Sequence, residues 1–231
     1  GFLSSISYDG WSLMGFSGFF LRAIVLLLML KTNVWADSHS LSGSDKLFKE
    51  ATDLVKAKQY NEAISIFEKL ANASEHDAQY NLAILLKAGK GKTKKYTDAL
   101  YWAFLAKLGE IPEADDLVGD LIDLLPEKTV ETVRQEVRNY LEDSVGNGSE
   151  ASIMHLGRFF LDIISEKEYA SAYKWFTIGS ALGIKTAIKV RDEVEKELSP
   201  EEIVEEQEKA EVFFQKFIDQ YSNPSDKENS S

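Results

Sequence analysis

Five lysines crowd two glycines in the stretch Lys87-Ala88-Gly89-Lys90-Gly91-Lys92-Thr93-Lys94-Lys95. Such a cluster could hold an anion or an acidic partner, and Gly91-Lys92-Thr93 has the ending of a phosphate-binding loop. That loop needs a glycine five residues before Gly91, where Leu86 stands. It should also follow a strand, whereas a helical pattern precedes it here. Nucleotide binding is therefore rejected. The lysines read better as a solvated turn near a helix C-terminus, where cations are favoured. The histidines are His39, His76 and His155. None has a second histidine at a metal-ligand spacing, so no metal or cofactor is expected. The carboxylate pairs Asp115-Asp116 and Glu205-Glu206 lie in strongly charged stretches. Acid–base work needs one of a pair desolvated in a cleft, and solvated helix faces are the plainer reading. No Gly-x-Ser-x-Gly segment offers a serine nucleophile. With no cysteine in the chain, thiolate catalysis, disulfides and cysteine-based zinc sites are excluded. The expectation is a protein without catalytic residues.

Composition narrows the partners. Lys and Arg number 26 against 38 Asp and Glu, a net charge of −12. A surface of that sign repels phosphate backbones, so nucleic acid is not expected as a partner. Only four prolines, with abundant Ala, Leu, Lys and Glu from Asp45 onward, favour long helices.

The elements that would position these residues emerge from an internal repeat. Residues recur at a spacing of 73 or 74: Ala78 with Ala151, Leu82-Ala83 with Leu156-Gly157, Ala99 with Ala172, Trp102 with Trp175, and Gly109 with Gly183. The segment starting at Ala114 and ending Leu125-Pro126 corresponds to that starting at Ala187 and ending Ser199-Pro200. An acidic, Val-rich helix follows each. Such a spacing is about two periods of 36 residues, the signature of helix hairpins stacked in series. Each double unit then holds one strongly patterned hairpin and one weak one. Small residues (Ala83, Gly157, Ala99, Ala172) belong where antiparallel helices cross, and Trp102, Phe104, Trp175 and Phe176 would fill the space between hairpins. Gly109 and Gly183 suit left-handed helix caps. The expected fold is all-α, a solenoid of about five antiparallel helix pairs.

The ordered set Leu82-Ala83, Leu86, Gly89-Lys90-Gly91, Ala99, Trp102, Leu105-Ala106 and Gly109 resembles the Sel-one-like repeat, a relative of the tetratricopeptide repeat. A second copy runs through Ala151, Leu156-Gly157, Tyr169, Ala172, Trp175-Phe176, Ala181 and Gly183. It has Asp162-Ile163-Ile164 in place of the Gly-x-Gly turn. In the first copy, Lys95 stands where an acidic residue is expected after the turn. Leu47, Ala51, Leu54, Tyr60, Ala63 and Phe67 resemble a plain tetratricopeptide unit ahead of both. The resemblance implies a right-handed superhelix of helix pairs with a concave face. It also implies a non-catalytic, protein-binding adaptor, or alternatively a regulator that inhibits or activates an exported enzyme. If first helices line the concave face, matching positions put Tyr80, Lys87, Arg158 and Asp162 toward a protein ligand.

The two ends read differently. Met14 could be the start, followed by Arg22, an apolar run from Ala23 to Leu30, and Val34-Trp35-Ala36. This pattern predicts a signal peptide within residues 1–36, cleaved between Ala36 and Asp37. Eight apolar residues fall short of the roughly 20 that span a bilayer, so membrane contact is expected only through this segment if it stays uncleaved. Residues 37–44 read as a linker, 45–221 as the helical-repeat domain, and 222–231 as a polar, disordered tail. The expected location is periplasmic or secreted. At the last helix, Ser199 is the expected N-cap, Pro200 the first helical residue, and the helix a cap for the array.

Overall fold

The computed structural model describes residues 42–221, so the expected signal segment, most of the linker and the polar tail lie outside the described residues. Ten helices form among the described residues: α1 Gly43–Lys56, α2 Tyr60–Asn72, α3 His76–Ala88, α4 Tyr96–Leu108, α5 Ala114–Ile122, α6 Glu127–Gly146, α7 Glu150–Asp162, α8 Tyr169–Ala181, α9 Lys185–Glu195 and α10 Pro200–Tyr221. No strand occurs among them. The expected all-α array of five consecutive helix pairs is present.

Local chemistry sets several helix starts. At α1, the Ser42 hydroxyl accepts from the Asp45 amide at 3.1 Å, and the Asp45 carboxylate accepts from the Ser42 amide at 3.1 Å. This reciprocal cap starts the helix two residues inside the stretch expected as linker. The same device starts α10, where Ser199 and Glu202 cap each other. Ser149 caps α7 through the Ser152 amide.

The double repeat appears as two four-helix units, α3–α6 and α7–α10. In the first, α4 packs against α3, α5 and α6; in the second, α8 packs against α7, α9 and α10. Helices α5 and α6 lean on α4 more than on each other, as α9 and α10 lean on α8. A helix enclosed on three sides must be apolar around its circumference. Accordingly Ala99, Leu100, Ala103, Phe104, Leu105, Ala106 and Leu108 of α4 are all buried, as are Ala172, Tyr173, Trp175, Phe176, Ile178 and Gly179 of α8. Trp175 meets Phe213 of α10 edge-on at 5.1 Å, so α10 covers the last apolar face as expected. Trp102 is only half-buried, and stacks edge-on with Tyr101 at 5.1 Å.

The sequence alignment of the copies needs one shift. Ala78 is fully buried while Ala151 is exposed, and Ser152 takes the buried place, so the first helices are offset by 74 throughout. The α3–α4 and α7–α8 turns differ in residues yet close alike. Lys95 N–H donates to Leu86 O at 3.3 Å, and Glu168 N–H donates to Phe160 O at 2.9 Å. In the first copy, Gly91 (φ +79) lies so close to α2 that a Cβ would stand 2.5 Å from Tyr60 O. In the second, buried Ile163 fills in, and Arg134 Nε of α6 donates to its carbonyl at 2.9 Å.

The two units meet along α7, which packs on both α6 and α4. Inside the second unit, Gly157 faces Phe176, and a Cβ there would lie 2.5 Å from the ring. Gly157→Val should therefore destabilise the fold by about 2–3 kcal/mol through overpacking, although valine is the better helix former. A thermal melt that leaves Tm unchanged would show that α7 and α8 are not this tightly opposed.

Candidate functional site

Of the four expected ligand-facing residues, three gather around α5 and the α4–α5 turn. Lys87 reaches from α3 to Asp120 of α5, with Nζ 2.6 Å from Oδ2. Arg158 reaches from α7 to Glu110 in the turn, with Nη1 2.8 Å from Oε2, and its side chain is only 18% exposed. Asp162, one helical turn on, lines a polar hollow of about 260 Å³ with Lys107, Glu110, Ile111, Pro112 and Asp115. Lys107 itself pairs with Asp115 at 3.0 Å. Tyr80 is different: it is half-buried and packed against the core.

The outcome is a corner of alternating charge in which three cations from α3, α4 and α7 hold three carboxylates from α5 and the turn before it. Such partly exposed pairs each contribute little to stability, about 0–1 kcal/mol, but they fix side-chain directions. Burial raises the Asp162 carboxyl above its usual range, while Lys107, Lys167 and Arg158 pull it back down. The residues that sequence reasoning missed are Lys107, Glu110, Asp115 and Asp120. Lys107 sits at the end of α4 but is not a repeat position, the others sit in the turn and on α5, the start of the weakly patterned hairpin, and no spacing rule links them to α3 or α7. The acidic start of α5, Asp115-Asp116, was the one available signal.

The turn has an unforeseen internal logic. Gly183 is left-handed as expected (φ +84), but the left-handed residue after α4 is Glu110 (φ +63), not Gly109. Gly109 has an ordinary φ of −79 and is small for another reason. The His76 ring lies against it, and a Cβ would stand 2.0 Å from the imidazole. His76 in turn meets His155 of α7 edge-on, with ring centroids 5.1 Å apart. Its Nδ1 is 2.8 Å from Gln79 Oε1. The His155 pKa is pushed down to about 4, mainly by burial, with His76 and Arg158 adding to the effect and Glu110 opposing it. Seventy-nine residues separate the two histidines, so their contact is invisible in sequence spacing.

The lysine-rich turn is spoken for locally. Lys90 lies over the Tyr60 ring at 5.2 Å and Lys94 over the Tyr96 ring at 5.7 Å. Lys92 pairs with Glu68, and Lys95 with Asp98. The carboxylate pairs also separate. Asp115 and Asp116 are exposed, but Glu206 is buried, contrary to the solvated-face reading. Lys209 holds it at 2.6 Å and holds Glu205 at 2.8 Å. Among the described residues, no group of three His, Asp or Glu side chains is placed to hold a metal ion. No helix among them is long and apolar enough to cross a membrane.

No protein-family profile matches the sequence, and no curated protein matches it. Among solved structures the chain is similar to a protective antigen present in uropathogenic Escherichia coli strains, described as displaying an SLR fold. The identity is 21% and the TM-score 0.27. The match covers 69% of this chain and 41% of the antigen, so the chain spans about two fifths of that protein's length.

Gly109→Ala should cost about 2 kcal/mol or more, because the added methyl must displace a part-buried imidazole rather than a flexible chain end. Glu110→Gly should instead leave stability within about 1 kcal/mol, since relief of the left-handed strain offsets the loss of an exposed ion pair. Chemical denaturation of both variants decides it, and a reversed order would mean the turn is held differently.

Proposed function

We propose that this chain is a non-catalytic protein-binding scaffold or adaptor in the cell envelope or secretory pathway, and that its partner docks at the α3–α5–α7 corner. The observation that carries the reading is the corner itself. Lys87, Lys107 and Arg158 come from three helices and are pre-set by Asp120, Asp115 and Glu110, which leaves a polar hollow edged by Ile111 and Pro112. A surface whose side chains are already ordered loses less entropy on binding, and specificity follows from matching its charge pattern. A stacked-repeat core supports such a surface without asking it to fold anew. The partner is a protein of unassigned identity. The proposed site residues are Lys87, Arg158 and Asp162, with Tyr80 supporting α3 from the core edge.

Export, in this reading, follows cleavage near Ala36, which N-terminal sequencing of the native protein tests directly. Asp37 as the first residue supports it, and a retained Leu30 refutes it. For binding, the tagged chain is used to capture proteins from its own cell envelope, and the captured protein is titrated against wild type and a Lys87→Ala, Arg158→Ala, Asp162→Ala triple variant. The variant should stay helical and lose roughly tenfold or more in affinity, more than one buried contact's worth of free energy. Equal affinity in a folded triple variant would move the binding face elsewhere.

A further inference from the structure

The contact between His76 and His155 has no part in the docking surface proposed above, yet it sits at the junction of the two four-helix units. His76 opens α3 and presses on Gly109 at the end of α4. His155 lies mid-way along α7, which carries the packing between the units. Two imidazoles therefore meet edge-on at 5.1 Å where the units join. A neutral His155 ring packs well there, and a charge on it is opposed mainly by burial.

We propose that this histidine contact makes the seam between α3–α6 and α7–α10 acid-sensitive, so that protonation of His155 loosens α7 from the α4 end while each unit keeps its own core.

The groups facing His155 from each packed element make charging it unfavourable. From α3 there is the His76 imidazole, and from α7 itself the Arg158 guanidinium. From the α4–α5 turn there is the Glu110 carboxylate, which is 72% exposed and already engaged by Arg158. The charged residues that α6 brings to the seam are turned elsewhere: Arg134 bonds the Ile163 carbonyl, and Arg138 lies over the Phe160 ring at 5.2 Å. On α8, Lys174 covers Trp175 at 4.6 Å, and on α4, Lys107 holds Asp115. Among the described residues, Glu110 is thus the carboxylate acting on the imidazole, and it is shared with Arg158.

The sign follows from linkage. Above pH 6.5 the His155 ring is neutral whether the seam is closed or open, and pH has no leverage through it. Between 6.5 and about 4, the open, hydrated ring takes up a proton that the closed one resists, so opening is favoured as pH falls. With those two values, the opening equilibrium should rise about 70-fold between pH 7.5 and 4.5.

Hydrogen exchange of the chain, followed by mass spectrometry and corrected for the intrinsic pH dependence of exchange, measures this opening. Peptides from α7 and the α4–α5 turn should lose protection as pH drops to 4.5, ahead of peptides from α2. In His155→Phe, which keeps a ring but cannot titrate, this excess should vanish while protection at pH 7.5 remains. His155→Gln serves as a second non-titrating variant should the larger ring fail to pack. An excess loss tens of times greater in wild type than in either variant supports the switch. An equal loss in wild type and variants overturns it, as does uniform loss across all helices. Partner binding is not part of this readout, so failure of the docking proposal would leave it unaffected.

Discussion

Enclosure of α4 and α8 is the constraint on which the rest of the molecule depends. Each is wrapped by neighbours, and each must be apolar and finely graded in size around its whole circumference. Alanines at 99, 103, 106 and 172 let neighbouring helices come close, and Phe104 and Phe176 fill the space left between them. This explains why the flanking helices can be irregular in pattern. Helices α5, α9 and α10 need one apolar stripe each, directed at α4 or α8, α6 needs one shared between α4 and α7, and the remaining positions are free to be charged. These four helices carry 18 Asp and Glu against 8 Lys and Arg, a net −10 of the chain's −12. Glu206 shows where that freedom ends, since on the inner side of α10 it is buried and needs Lys209 beside it. An unpaired buried carboxylate there would carry a large desolvation penalty.

The charged corner follows from the same geometry. Since α5 leans on α4, its outer side is left between the C-terminal halves of α3 and α7. Lys87 of α3 and Lys107 of α4 can reach its carboxylates, and Arg158 of α7 reaches Glu110 in the turn before it, while their stems remain on apolar surface. Lys87 and Lys107 are both in the last turns of their helices, where positive charge also suits the helix dipole. Ordering of the corner is therefore a by-product of packing. That is a sound basis for a recognition surface, because no separate free energy is spent in holding it.

Much of this was legible in the sequence. The repeat spacing, the small crossing residues, Ser199-Pro200 at the last helix and the pairing of Leu82 with Leu156 all express local pattern, and local pattern is what a one-dimensional reading can measure. The errors fell where three-dimensional proximity overrides it. Gly109 reads as a left-handed cap because most glycines after helices are caps, but its smallness answers to a histidine ring 33 residues earlier. Ala151 pairs with Ala78 by its residue type, yet the helix phase set by Leu156 and Gly157 turns it outward and brings Ser152 in. For the candidate site, residues on α3 and α7 could be chosen because the repeat relates them. Their partners Glu110, Asp115 and Asp120 could not, since they belong to the weak unit and are joined to α3 and α7 only by the fold.

The polar groups along the seam give solution conditions a point of action on how the two units are joined. Inside a unit, contacts such as Gly157 on Phe176 involve no titratable atoms, while others, such as Lys87 to Asp120 and Lys107 to Asp115, are exposed-side ion pairs. Along α7, by contrast, the joints are polar: Arg134 to the Ile163 carbonyl, Arg158 to Glu110, His76 to His155, and Arg138 on Phe160. In a nearly one-dimensional stack, stability is the sum of unit terms and neighbour terms. Placing polar chemistry in a neighbour term lets solution conditions tune how two units are joined without unfolding either one. An apolar seam of equal area would be stronger and indifferent. The seam here combines both kinds of contact, since Phe159 and Phe160 of α7 are buried beside those polar groups, and the corner that includes Arg158 and Glu110 abuts it.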